Sequence, residues 1–115
     1  MQEGDVVLTP VPQADGTVKN RPAIVLREMP VYRDVLVCGV STQLHQYVPG
    51  FDDLISPADV DFAASSLVAP SLIRLGFLAV VRRRNILGTI GAIAPERHKR
   101  LLQALSNYLL RNLGS

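Results

Sequence analysis

Short apolar runs separated by polar turns fill the chain from its start to Gly91, and one helix-periodic stretch closes it. Val6-Val7-Leu8 and Ala23-Ile24-Val25-Leu26 are runs of strand length. Between them lies a polar stretch containing Asp15-Gly16, a strong turn dipeptide. The segment from Gly4 to Leu26 therefore predicts strand, loop, strand. Pro10 and Pro12 are expected to end pairing of the first strand, because proline has no N–H for a ladder. Arg21 falls between loop and second strand, and Pro22 biases it toward extended backbone. Turns follow at Met29-Pro30 and Arg33-Asp34. Next comes VLVCGV, Val35 to Val40, continuously apolar with a glycine inside. It suits a strand buried on both faces, or one approached closely at Gly39 by another backbone.

Leu54-Ile55 suits a short strand, and Pro57 to Ala64 a helical turn with Ser56 as cap and Pro57 at its first position. Ser71 to Val81 reads as a strand with partial alternation: Leu72, Arg74 and Gly76 face one way, and Ile73, Leu75 and Phe77 the other. Ile86-Leu87 and Thr89-Ile90 suggest a last short strand, broken by Gly88 and Gly91. The period then changes. Leu101, Leu105, Tyr108, Leu109 and Leu113 recur at helical spacing after Pro95, with Leu102 and Leu110 widening the stripe. That stripe is the expected core face of a C-terminal helix. Several strands followed by one helix, with no strand–helix alternation, predict a mainly β fold. A small, partly open antiparallel barrel with a packed C-terminal helix fits best, as one domain over 1–115.

Composition narrows the classes. Nearly half of the 115 residues are apolar, enough for a real core, while aromatic residues are 5% and tryptophan is absent. That scarcity argues against a base-stacking sheet of the RNP type. A formal net charge of +2 implies no bulk-charge binding to nucleic acid, so any basic site must be local. The single cysteine, Cys38, excludes an internal disulfide framework and reads as a small buried hydrophobe. The opening MQEGD carries an acid where a signal peptide has its basic region, and no apolar run reaches membrane-spanning length, so a cytoplasmic location without membrane contact is expected.

Candidate chemistry is sparse. Arg21 would hold a guanidinium at a hairpin mouth, where its fork of donors suits a phosphate; a solvated surface arginine is the ordinary alternative. Ser41, Thr42 and Gln43 follow a buried strand directly, either as the start of a loop or as a presented set of hydroxyl and amide donors. Arg82-Arg83-Arg84 is the one basic run before the helix, either a charged turn or a phosphate-contacting rim. Asp52, Asp53, Asp59 and Asp61 form an acidic region whose spacing fits no calcium loop, so solvated surface is expected and no metal. Arg97, His98, Lys99 and Arg100 crowd the first turns of the helix against its dipole, with His98 expected at the surface.

Five blocks in order, GDVVLTPVP, NRPAIVL, VCGVSTQ, PSLIRL and LGTIGAIAPERHKRLL, resemble the PemK/MazF toxin family over nearly the whole chain. The resemblance implies an SH3-like barrel of the CcdB/PemK type with the helix packed on it, acting as a homodimer. It also implies a metal- and cofactor-free endoribonuclease, an mRNA interferase that cuts single-stranded RNA through the RNA's own 2′-hydroxyl and leaves a cyclic phosphate. Such a protein is the toxin half of a type II toxin–antitoxin pair. The cognate antitoxin silences it by laying a flexible tail in the RNA groove, and the pair binds DNA.

By that resemblance Arg21 is the cation at the reacting phosphate. Ser41 falls where one branch of the family has threonine, and Thr42 where a sibling branch has serine, so either hydroxyl takes the catalytic position. Asp15, Asn20, Gln43, His45 and Arg82 to Arg84 are the expected RNA contacts. Asn20 stands where some relatives have histidine, Asp15 is the only loop acid, and His45 is the remaining candidate base. These departures leave open a relative that binds RNA or antitoxin without cutting. A CcdB-like toxin acting on gyrase would need an aromatic or acidic tip at the end of the helix, and this chain ends RNLGS.

Overall fold

The computed structural model describes residues 1–12 and 14–111, with the side chain of Pro12 excluded. Leu113 and the last residues of RNLGS lie outside the described residues. Among the described residues six strands form one antiparallel sheet: β1 (Asp5–Pro12), β2 (Val18–Glu28), β3 (Val35–Ser41), β4 (Asp53–Ile55), β5 (Ser71–Val81) and β6 (Gly88–Ala92). Their order is β4-β5-β3-β2-β1-β6, so a short strand sits at each edge. The sheet curls into a half-barrel. Helix α1 (Phe62–Ser65) lies against β6, and α2 (Pro95–Leu110) packs onto the core.

Both faces of the central strands are buried, which explains why their sequences are continuous rather than alternating. Val6, Ile24, Leu26, Cys38, Ile73 and Leu75 pack with Leu101 and Leu105 of α2 on one face. Val7, Ala23, Val25, Val35 and Val37 form a smaller cluster on the other. Cys38 is fully buried, and burial pushes its thiol up to about 12, so it stays protonated and inert.

β1 and β2 run further than their apolar residues suggest. Pro10 pairs with Asn20 and Pro12 with Val18 instead of ending the ladder. Backbone N–H groups alternate sides along an antiparallel strand. Leu87 N donates to Leu8 O (2.9 Å), so the even positions of β1 face β6. Pro10 lies past Gly88, where β6 starts, and its missing donor faces an unpaired edge. Pro22 in β2 does the same toward β3, one residue past the last β2–β3 pair, Ala23 with Gly39. The prolines thus mark where each strand loses its outer neighbour. Arg21 consequently sits inside β2, opposite Thr9, rather than at the mouth of a loop.

The acidic region is structural, not solvated. Asp52 and Asp61 are buried. Arg97 donates to Asp61 through Nε (2.8 Å) and Nη2 (3.1 Å), and to Asp53 through Nη1 (2.7 Å). Arg100 also reaches Asp53 (2.9 Å), and Asp59 lies 3.3 Å from Arg97 Nη2. The basic start of α2, unfavourable for the helix dipole, is answered by Asp53 of β4 and by Asp59 and Asp61 just before α1. His98 is half-buried and its Nε2 bonds Leu26 O (2.8 Å), so it pins α2 to β2 rather than facing water. Gly91 is required at this seam: a Cβ there would lie 2.3 Å from Ala64 O of α1. The apolar stripe of α2 is core only in its first half. Leu101 and Leu105 are buried, whereas Tyr108, Leu109 and Leu110 are more than half exposed. Tyr108 instead meets Phe51, with ring centroids 4.7 Å apart.

Candidate RNA cleft

Beyond the Ala23–Gly39 pair, β2 stays with β1 while β3 stays with β5, and a cleft opens between them. The register makes its geometry definite. Arg21 lies two residues before Ala23, and Ser41 two residues after Gly39, so they would face each other had pairing continued. Two-residue steps also keep both on one face of the sheet. The opening holds about 370 Å³. Arg21, Ser41, Thr42 and Gln43 all line it, as do Thr9 and Arg74. Its floor is apolar, formed by Ala23, Val37, Ala79 and Val81 with Phe77 standing at the side.

Ser41 Oγ accepts the N–H of Gln43 (3.0 Å), a local turn that fixes where the oxygen sits and leaves its O–H free to donate. Thr42 is exposed beside it. Arg74 pairs with Gly39 across β3 and β5. Immediately after it the ladder slips by three residues, because Cys38 pairs with Leu78. Leu75, Gly76 and Phe77 form the resulting bulge. Asp52 supports it: one carboxylate oxygen accepts Leu75 N (3.1 Å) and the other Val48 N (3.0 Å). The bulge also reverses the simple alternation expected for Ser71 to Val81. Ile73 and Leu75 stay in the core, while Phe77 crosses to the cleft side with Arg74. Gly39 is indeed closely approached, but by the Phe77 ring and not by a backbone: a Cβ on it would be 2.8 Å from Phe77 Cδ1.

The other expected contacts lie elsewhere. Asp15 binds Thr17 through its N–H (3.0 Å) and Oγ1 (2.6 Å), which closes the β1–β2 loop and holds its carboxyl below the usual range. Asn20 alternates with Arg21, so it points to the opposite face of β2. His45 is exposed in a 3-10 turn over Leu44–Gln46 and does not line the cleft. Arg82, Arg83 and Arg84 line a separate shallow depression with Tyr32 and Asp34. Arg83 there donates to Arg33 O (2.8 Å) and lies 3.4 Å from Glu28. Arg33 also bonds Glu28, and chiefly that hydrogen bond lowers the glutamate's pKa. Among the described residues no cluster of three or more potential metal ligands occurs.

Arg74, Phe77 and Thr9 are cleft residues that the sequence did not single out. Arg74 had a signal, since a lone charge inside SLIRLGFLAVV needs either a polar partner or an open face. Phe77 had none, because its side depends on the bulge.

Among the described residues no helix is long and apolar enough to cross a membrane. Comparison with curated proteins by sequence finds no match. Among solved structures, the Mycobacterium tuberculosis toxin MazF-mt6 superposes with a TM-score of 0.65 at 18% identity, covering 91% of this chain and 95% of that one. At that identity the likeness establishes the half-barrel with its C-terminal helix. A family profile described as PemK-like, MazF-like toxin of type II toxin–antitoxin system matches residues 2–109. With a profile spanning nearly every described residue, the chain belongs to the PemK/MazF toxin family, the mRNA interferases of type II toxin–antitoxin systems.

Proposed function

We propose that this chain is a metal-independent endoribonuclease that cleaves single-stranded RNA in the cleft between β2 and β3. The observation that carries the reading is the meeting of Arg21, Arg74 and Ser41 around one opening whose lining contains no carboxylate among the described residues. Such a site attracts a phosphodiester and repels nothing anionic.

The chemistry is an in-line displacement. The 2′-oxygen of the substrate forms a bond to phosphorus as the bond to the 5′-oxygen breaks, giving a 2′,3′-cyclic phosphate and a 5′-hydroxyl. Negative charge builds on the non-bridging oxygens in the transition state. Arg21 and the Ser41 hydroxyl, set on strands rather than on loose loops, meet that charge without reorganising, which is worth on the order of 100- to 1000-fold per donor. Thr42 is the alternative hydroxyl. The cleft lining includes no imidazole or carboxylate among the described residues, so the 2′-hydroxyl proton leaves to solvent. Arg21 or water protonates the departing 5′-oxygen.

The partners that follow are a single-stranded RNA, a cognate antitoxin whose tail competes for the cleft, and a second copy of the chain. Incubation of the purified protein with mixed RNA in EDTA, followed by end mapping, tests the reading. Fragments ending in cyclic phosphate and 5′-hydroxyl, lost in Arg21→Ala, are expected. Intact RNA with a folded wild-type protein overturns it. RNA retained without products would instead select the non-cutting alternative.

A further inference from the structure

We infer that Phe77 is a base-stacking platform, seating one nucleobase of the bound RNA beside the phosphate held by Arg21 and Arg74. The inference rests on the nuclease reading and adds to it the part of the substrate that the cleft grips besides phosphate.

Phe77 is a large apolar side chain left 44% exposed inside a concave site, where burial would be expected. Its position is imposed from three sides. The three-residue slip after Gly39 lifts it out of regular alternation. Asp52, itself buried, accepts the N–H of Leu75 and so fixes the start of that bulge. Gly39 supplies the space: with any side chain there, Cβ would sit 2.8 Å from Phe77 Cδ1. The ring is thus backed by the backbone of β3 and open toward the cleft. Its neighbours there are two guanidinium groups, the hydroxyls of Thr9, Ser41 and Thr42 and the amide of Gln43, with no acid among the described lining residues. A neutral peptide segment could also bond its backbone to that set, but brings no anion to the two cations. A nucleotide uses every part of it, since phosphate takes the cations, the base takes the ring, and Gln43 can read a base edge. A π-face accepts any base, so the ring supplies grip while discrimination falls to Gln43.

The test uses the full chain and single-stranded oligoribonucleotides in which 2-aminopurine is walked along the strand, with a 2′-deoxy sugar at the reacting position to prevent cleavage. Stacking on the ring quenches 2-aminopurine at one position. Phe77→Leu is expected to lose that quench and to bind about 5- to 150-fold more weakly, the span that base–aromatic stacking covers. Phe77→Trp restores both, which a role in packing alone would not produce. Gly39→Ala, which displaces the ring without changing it, also weakens binding. Phe77→Leu with unchanged quench and affinity overturns the inference. So does a Phe77→Leu protein that changes its oligomeric state, or loses affinity for an antitoxin peptide, while binding RNA as before. Wild-type protein that cuts RNA alongside an equally active Phe77→Leu removes only the platform; wild-type protein that neither binds nor cuts RNA removes the nuclease reading with it.

Discussion

Arg97 and Arg74 are both strand- or helix-borne arginines among apolar neighbours, yet their surroundings have opposite character. Arg97 is 6% exposed and answered by Asp53, Asp59 and Asp61. Arg74 is half-buried and, among the described residues, forms no ion pair; its cleft offers hydroxyls, an amide and aliphatic groups. The first arrangement is neutralised and spends its donors inside the molecule. The second keeps positive charge where a ligand can reach it. The same residue type therefore holds the fold in one place and equips a site in the other, and only the position of the aspartates decides which.

The sharpest way to break that contrast is to remove an arginine from the cleft. Arg21→Ala in the cleft is expected to lower cleavage of single-stranded RNA by about 100- to 1000-fold while shifting the denaturant midpoint far less than a core lesion does, measured by end-labelled RNA assays and urea melts. A loss of stability comparable with that of a core lesion would place Arg21 with Arg97 among the structural cations.

The hydroxyls sharpen the cleft side. Ser41 is held by the Gln43 amide and lies opposite Arg21 in register, whereas Thr42 is the next residue out. Ser41→Ala should cost about 100-fold in kcat with KM little changed, because the donor acts on charge that develops during reaction. Thr42→Ala should stay within a few-fold. The reverse order would move the donor to Thr42.

On the structural side, Asp61→Asn leaves Arg97 buried with its bidentate partner gone. Removing one member of a buried pair costs about 3 kcal/mol, seen as a lower urea midpoint. Cleavage per folded molecule should be unchanged, since the network lies under α2 and contributes nothing to the cleft lining.

What could be read from the chain follows the same division. The apolar runs located all the main strands and the helix because burial on both faces makes them continuous. Arg21, Ser41 and Thr42 were picked out by their places in the family-like blocks, and they line one cleft because β2 and β3 part after the Ala23–Gly39 pair. Contacts between distant segments carry no such local signature. Arg97 and Asp61 are partners across 36 residues, and each alone resembles an ordinary surface charge. The prolines misled for a related reason: whether a missing N–H ends a ladder depends on which neighbour it faces, and that is a property of the assembled sheet. Phe77 changes sides through a bulge braced by Asp52, which is 23 residues from the amide it holds.

The smallest effect separates the two regions by pH. The hydrogen bonds from Arg97, chiefly, hold the Asp61 carboxyl below its ordinary range. A carboxyl with a depressed folded-state pKa binds its proton more readily when unfolded, so its contribution is fully present above the unfolded value of about 4 and is lost as pH falls through the lower folded one. The urea midpoint of the wild-type chain should therefore drop as pH is taken from 6 toward 3 (round values set by the ordinary carboxylate range of about 4). In Asp61→Asn, which has no proton to take up at that position, the drop should be shallower, so that the two curves converge in acid. Parallel curves would mean that the ionisation of Asp61 is not linked to folding, and that the aspartate's charge adds no stability beyond its hydrogen bonds.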